Sequence, residues 1–268
     1  MIDTRDHMSI KMITEEYVSE RLKKGIRDEK RGHFDYRKIS IKTGTMPNAE
    51  GSADVQLGNT RVLVGVKIDI GEPMPDNPGE GTIITSAELL PMASENFEPG
   101  PPSPESVEVS RVIDRGIRAA GVVDTKSLGI DEETVWNVYL DIYVLNYDGN
   151  IFDAGSLGSV AALLTSKMPR YEDGKVIRDE KMGRLKTNGI STSCTFAKVA
   201  GAMLLDPNGN EESFAASRLT VSTDENRIRA MQKGLGGYFT QNELDKAIDV
   251  SFEKFGALRS VIKESTGD

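Results

Sequence analysis

One cysteine, two histidines and one tryptophan occur in 268 residues, and each scarcity removes a class of function. Cys194 alone excludes a disulfide within the chain, and with only His7 and His33 a Cys/His zinc site is not expected. Both histidines read as solvated side chains, and no metal is implied. No apolar run approaches the roughly 20 residues of a membrane helix. Residues 1–17 mix acids with apolar positions and lack the apolar stretch of a secretory signal, so the expectation is a cytoplasmic protein with no membrane association. A net charge of −9 argues against coating nucleic acid by bulk electrostatics, so any polyanion site must be local. Clustered arginines therefore carry more weight here than in a basic chain.

What is present is a chain of alternating strand and helix signals. Thr14, followed by Glu15 and Glu16 and closed by Lys23, Lys24 and Gly25, reads as a capped helix. Val62, Val64, Val66, Ile68 and Ile70 repeat with period two, and Gly58-Asn59 joins them to residues 53–57 as a hairpin. Residues 82–90 form a further strand candidate. The prolines at 91, 99, 101, 102 and 104 mark a surface loop leading into a helix over 104–121. Residues 134–145 are a strand rich in Val, Tyr and Ile, after which Asp148-Gly149 signals a second hairpin into Ile151-Phe152. A buried helix is expected over 158–167, closed by Pro169. Strands over 192–199, 202–205, 218–222 and 227–232 lead to a last helix. There Thr240 and Glu243 form a capping box, Phe239 and Leu244 a hydrophobic staple, and Leu244 to Ile262 an apolar stripe. The pattern predicts an α+β chain: a lead-in over 1–30, one unit over 31–188 and a second over 189–268.

Three stretches could carry chemistry. On the helix over 104–121, Arg111, Arg115 and Arg118 fall within about 60° of one another, opposite Val109, Val112, Ile113, Gly116, Ile117 and Ala120. That stripe suits a phosphate backbone. It also suits a solvated face paired with Glu108 and Asp114 or with a neighbouring subunit. Asp206, Asn208 and Asn210 imitate the first ligands of a calcium loop, but Glu211 replaces its glycine and Ser217 its final glutamate, so the calcium reading fails. Asp206 and Glu212 remain compatible with magnesium binding, with acid and base roles, or with a plain polar turn. The glycine-rich run Lys233 to Gly237 has neither Walker nor Rossmann spacing and reads as a flexible connection. No arrangement suggests a serine or cysteine nucleophile.

Residues 51–63, 110–118, 135–154 and 204–207 together resemble the RNase PH superfamily, and within it the non-catalytic RNase PH-like subunits of the archaeal exosome; the likeness extends over about residues 15–260. It implies an RNase PH-like fold of two related βαβ-type halves, the first ribosomal protein S5 domain 2-like. It further implies a hexameric ring alternating with a catalytic RNase PH-like paralogue, RNA as ligand, RNA-binding cap proteins as further partners, and no cofactor. In active members inorganic phosphate attacks the 3′-terminal phosphodiester of RNA, so arginines must neutralise two anions brought together. Aligned on residues 110–118, Glu105 stands where active members carry one such arginine, and aligned on residues 153–156, Leu157 stands where they carry another. Asp206 matches the first carboxylate of the active pattern, and Glu212 replaces the second. The resemblance thus implies no catalytic residues here, four vestigial positions, and a role for Arg111 and Arg115 in guiding RNA to the neighbouring subunit. Arg118 rests on helical geometry alone. The rival readings are an active phosphorolytic exoribonuclease and a free-standing RNA-binding scaffold.

Overall fold

The computed structural model describes residues 4–27 and 30–267. It contains α1 (Thr4–Lys23), β1 (Ile39–Thr43), β2 (Gly51–Leu57), β3 (Thr60–Gly71), β4 (Thr82–Leu89), α2 (Pro104–Ala120), β5 (Val135–Asn146) and α3 (Ile151–Thr165). These are followed by β6 (Lys167–Glu172), β7 (Lys175–Arg184), β8 (Thr192–Val199), β9 (Ala202–Leu205), α4 (Gly209–Ser213), β10 (Ser217–Thr223), β11 (Ile228–Gly234) and α5 (Gln241–Thr266). A five-stranded sheet runs β1-β2-β3-β5-β4, a four-stranded sheet β11-β10-β8-β9, and β6-β7 stand apart as a hairpin. In the first sheet β4 lies parallel to β5, joined through α2, and every pair in the second sheet is antiparallel.

The period-two run of β3 puts Val62, Val64, Val66 and Ile68 on a fully buried face. Against that face lies α3, whose residues 151–163 are all buried. A helix apolar on every side needs cover on every side. Here β2 and β3 lie beneath it, with β8 and α5 beyond, so α3 is the shared centre of one core drawn from both halves of the chain. Two glycines permit that closeness: a Cβ on Gly155 would sit 2.6 Å from Ile113, and one on Gly158 2.8 Å from Val64.

On α2, Ser103 caps the first turn by accepting from the Ser106 N–H at 3.1 Å, and Gly121 ends the helix at φ +62°. Its buried face holds Val109, Val112, Ile113, Gly116 and Ile117, as the spacing required. A side chain at position 116 would meet Ser222 Oγ at 2.8 Å, so glycine lets the helix settle on β10. The capping box of α5 forms with Thr240 and Glu243, but its buried stripe centres on Ala247, Val250, Ser251, Phe255, Leu258 and Ile262, with Leu244 only partly covered.

Several expectations are corrected. Thr14 lies inside α1 rather than at its start. Asp148-Gly149 does not turn a hairpin: Asn150 adopts φ +55° and caps α3 by accepting from the Asp153 N–H, so residues 148–150 are a strand-to-helix turn. The buried helix therefore begins at Ile151 and stops at Thr165, while Pro169 lies in β6. His33 is half-buried with Nε2 shut away from solvent, and the side chain of His7 lies outside the described residues. Among the described residues no helix is long and apolar enough to cross a membrane.

Candidate functional site

The arginine stripe of α2 divides into three different environments. Arg111 is exposed and makes no hydrogen bond or ion pair with the described residues. Arg115 is exposed and donates one Nη1 hydrogen bond, 2.5 Å long, to Gln232 Oε1 on β11. Arg118 is exposed too but bonded to its neighbours: Nε donates to Asp114 Oδ2 at 2.6 Å, Nη1 to Thr82 Oγ1 at 3.3 Å, and Nη2 to the carbonyl of Ile83 on edge strand β4. The single stripe of three read from helical spacing is thus two available guanidiniums and one that caps a strand edge. Its pairing with Asp114 follows the salt-bridge alternative instead.

At the other end of α2, carboxylates gather. Glu105 in the first turn and Glu108 one turn on face Arg218 of β10, which donates to Glu108 Oε1 at 2.6 Å. The Arg218 guanidinium also lies 4.2 Å above the ring of Phe152 and 3.7 Å from Glu212 Oε1. Glu212, its side chain only 12% exposed, accepts from the Asn150 N–H at 2.7 Å and more weakly from Tyr147 Oη at 3.4 Å. Burial raises the Glu212 carboxyl above its ordinary range, opposed by the Asn150 N–H and Arg218 and reinforced by Glu105. Partial loss of solvent raises Glu105 too, with Arg218 opposing and Glu108 adding to the shift. Three carboxylates around one guanidinium give this surface a net negative charge that repels anions.

Asp206 and Glu212 were paired by sequence, but the structure gives them separate tasks. Asp206, fully buried at φ +52°, is the centre of an ion-pair hub. Arg37 reaches it with Nε at 2.9 Å and Nη2 at 2.7 Å and with its backbone N–H at 2.8 Å, Asn150 Nδ2 donates at 2.8 Å, and Arg31 Nη1 at 3.2 Å. Beside it Arg27 forms a two-pronged pair with Glu211, both bonds 2.8 Å. These arginines tie the segment after α1 to the turn between β9 and α4. Their signal was the spacing of three arginines within a stretch otherwise lacking secondary structure, which periodicity does not detect.

Leu157 is fully buried in α3. It belongs to the core cluster and faces no solvent. Sequence reasoning also passed over Asp153, which Tyr36 Oη, Asn150 Nδ2, and the N–H and Oγ1 of Thr195 all contact at 2.7–3.0 Å without a cation. Burial drives this carboxyl up to about 7 despite those donors. The glycine-rich run beyond β11 closes on the sheet through Gly237 N–H and the Ala216 carbonyl, and Lys233 Nζ donates to the carbonyl of Leu235 within it. No group of acids, histidines or cysteines among the described residues could hold a metal ion.

The 3′ exoribonuclease family, domain 1, matches residues 35–169, and domain 2 of the same family matches residues 189–254. The chain belongs to the RNase PH family. Among its RNase PH-type relatives, exosome complex component Rrp42 of Thermococcus gammatolerans is 45% identical over 92% of both chains. Rrp42 of Methanothermobacter thermautotrophicus is 45% identical over 94% of this chain and 95% of the relative. A chain of the Archaeoglobus fulgidus exosome, solved with RNA bound to the active site, superposes with a TM-score of 0.87 at 40% identity, covering 94% of this chain and 98% of that one. The RNase PH-like fold expected from sequence is therefore the fold observed.

Proposed function

We propose that this protein is a non-catalytic ring subunit of an exosome, working in the cytoplasm with a catalytic RNase PH-like paralogue to process and degrade RNA from its 3′ end. One observation carries the reading: among the described residues the guanidinium that meets Glu108 and Glu212 is Arg218, and that group is already bound to glutamate and stacked on Phe152. Phosphorolysis requires inorganic phosphate to approach a phosphodiester, and each anion needs cationic support that this surface does not offer. Asp206 cannot take over as acid or base, because its oxygens are enclosed by Arg37, Asn150 and Arg31.

What the chain contributes instead is surface. Arg111 and Arg115 keep donors open to phosphate on a rigid helix and guide RNA toward the catalytic neighbour; Arg118, held by Asp114 and Ile83, supports the edge of β4. The names of the relatives agree with membership of a multisubunit complex, and RNA lies in the active site of the Archaeoglobus assembly. Cap proteins complete the set of partners under this reading. The test is to purify the chain alone and with its paralogue and to follow phosphate-dependent shortening of RNA. The chain alone is expected to release no nucleoside diphosphate, and the pair to release it from a particle of about six subunits. Robust release by the chain alone favours an active exoribonuclease, and failure to co-assemble favours a free-standing RNA-binding scaffold.

A further inference from the structure

We infer that Gln232 is the positioning residue for Arg115, a neutral acceptor on β11 that orients the guanidinium toward RNA without consuming its charge. This rests on the RNA-guiding reading above and names the group that makes one of its two arginines effective. An arginine on an exposed helix face carries several free torsions, and ordering them on binding costs affinity. Among the described residues no hydrogen bond holds the Arg111 side chain, whereas the donors of Arg118 are largely occupied. Arg115 lies between these extremes, held by one bond from Nη1 to Gln232 Oε1 at 2.5 Å. Of its five N–H donors, four remain for phosphate oxygens.

The amide itself is tethered. Gln232 Nε2 donates to the carbonyl of Lys233 at 3.3 Å, which turns Oε1 toward α2. The backbone beneath is fixed as well, because Gln232 pairs with Thr220 in the ladder of β10 and β11, and Gly116 seats α2 against Ser222 of the same strand β10. The second half of the chain thereby aims an arginine that belongs to the first. A glutamate at position 232 would have the same reach, yet its charge would form an ion pair and cancel the attraction that Arg115 exerts on phosphate. An amide supplies orientation alone.

The experiment uses the full chain assembled with its paralogue and a fluorescein-labelled oligoadenylate, with affinity measured across a salt series. For single strands the logarithm of affinity falls by about 0.7 per neutralised phosphate for each logarithm of salt. Gln232→Ala is expected to weaken binding by about three- to tenfold, the range for releasing one ordered side chain, with the salt slope unchanged. Gln232→Glu is expected to weaken binding further and to make the slope shallower by about 0.7. In an Arg115→Ala background, Gln232→Ala should have no further effect. A merely structural role for Gln232 would leave no coupling between the two sites, so the losses from Gln232→Ala and Arg115→Ala would add in full. If Arg115→Ala weakens RNA binding but Gln232→Ala leaves affinity unchanged, or if the two losses add in full, the positioning role is overturned while the RNA-guiding reading stands. If Arg115→Ala has no effect, both are overturned.

Discussion

Replacing Asp206 by asparagine isolates the charge at the centre of the arginine hub. The two residues have the same shape, and asparagine accepts the left-handed backbone that position 206 adopts at φ +52°. What changes is that one carboxylate oxygen becomes an NH2 group facing the Arg37 guanidinium, whose side chain is 1% exposed, and Arg31, whose side chain is 7% exposed. Losing one member of a buried ion pair costs about 3–5 kcal/mol, and the contacts of Arg37 with Asp148 and of Arg31 with Glu211 that remain place the loss at the lower end. For a chain of this length that corresponds to a fall in melting temperature on the order of 10 °C. Asp206→Ala adds the strain of a left-handed alanine, about 1–2 kcal/mol more. Urea denaturation of the purified full chain, followed by circular dichroism and tryptophan fluorescence, reads both losses. Were Asp206 a relict catalytic carboxylate with no structural work, the asparagine variant would unfold within about 1 kcal/mol of the wild type and the alanine variant would lose only its backbone strain, and that result would refute the hub.

Asp153 should give stability a pH dependence of its own. Its folded value of about 7 exceeds the ordinary 3.8, so the stability its protonated form confers is complete below about pH 4 and is lost as pH rises to 7. The difference in unfolding free energy between wild type and Asp153→Asn should therefore fall across that window by up to about 1.4 kcal/mol per pH unit; a flat difference would contradict the assignment. Leu157→Arg should not restore an anion clamp but should yield insoluble or partly folded protein, since it buries a charge in the core; a stable variant that binds phosphate would show that α3 opens onto the surface around Arg218. Alanine at Arg111 and Arg115 together should weaken RNA binding by the assembled complex and reduce the salt slope by about 1.4, whereas Arg118→Ala should chiefly lower stability.

The dipeptide Asp-Gly shows how much local sequence can decide. It occurs at 148–149 and at 173–174, and only the second pair turns a hairpin, with φ of +50° and +75°, between β6 and β7. That hairpin escaped detection because its strands carry charges on both faces, so no apolar alternation marks them. The first pair is diverted by Asn150, whose side chain caps a helix, a role that the acid three residues later announces. Strands β3 and β5 and helix α2 were legible because each has one wet and one dry side. Helix α3 has no wet side, and a residue pattern without contrast does not locate its ends. The same limit applies to the site. The face of α2 could be drawn from spacing, but which of its arginines are free depends on Asp114, Ile83 and Gln232, the last two contributed by β4 and β11.

The hub has a consequence for how the protein is made. Arg27 and Arg37 find their carboxylates 184 and 169 residues further along the chain. At ribosomal rates of about 5–20 residues per second, those carboxylates leave the ribosome on the order of 10–35 seconds after the arginines. During that interval the carboxylates that Arg27 and Arg37 bury in the folded chain are not yet made, and the outer side of α3 awaits β8 and α5. The first half therefore emerges unsealed, and closure of the second half both supplies the carboxylates that Arg27 and Arg37 bury and covers α3.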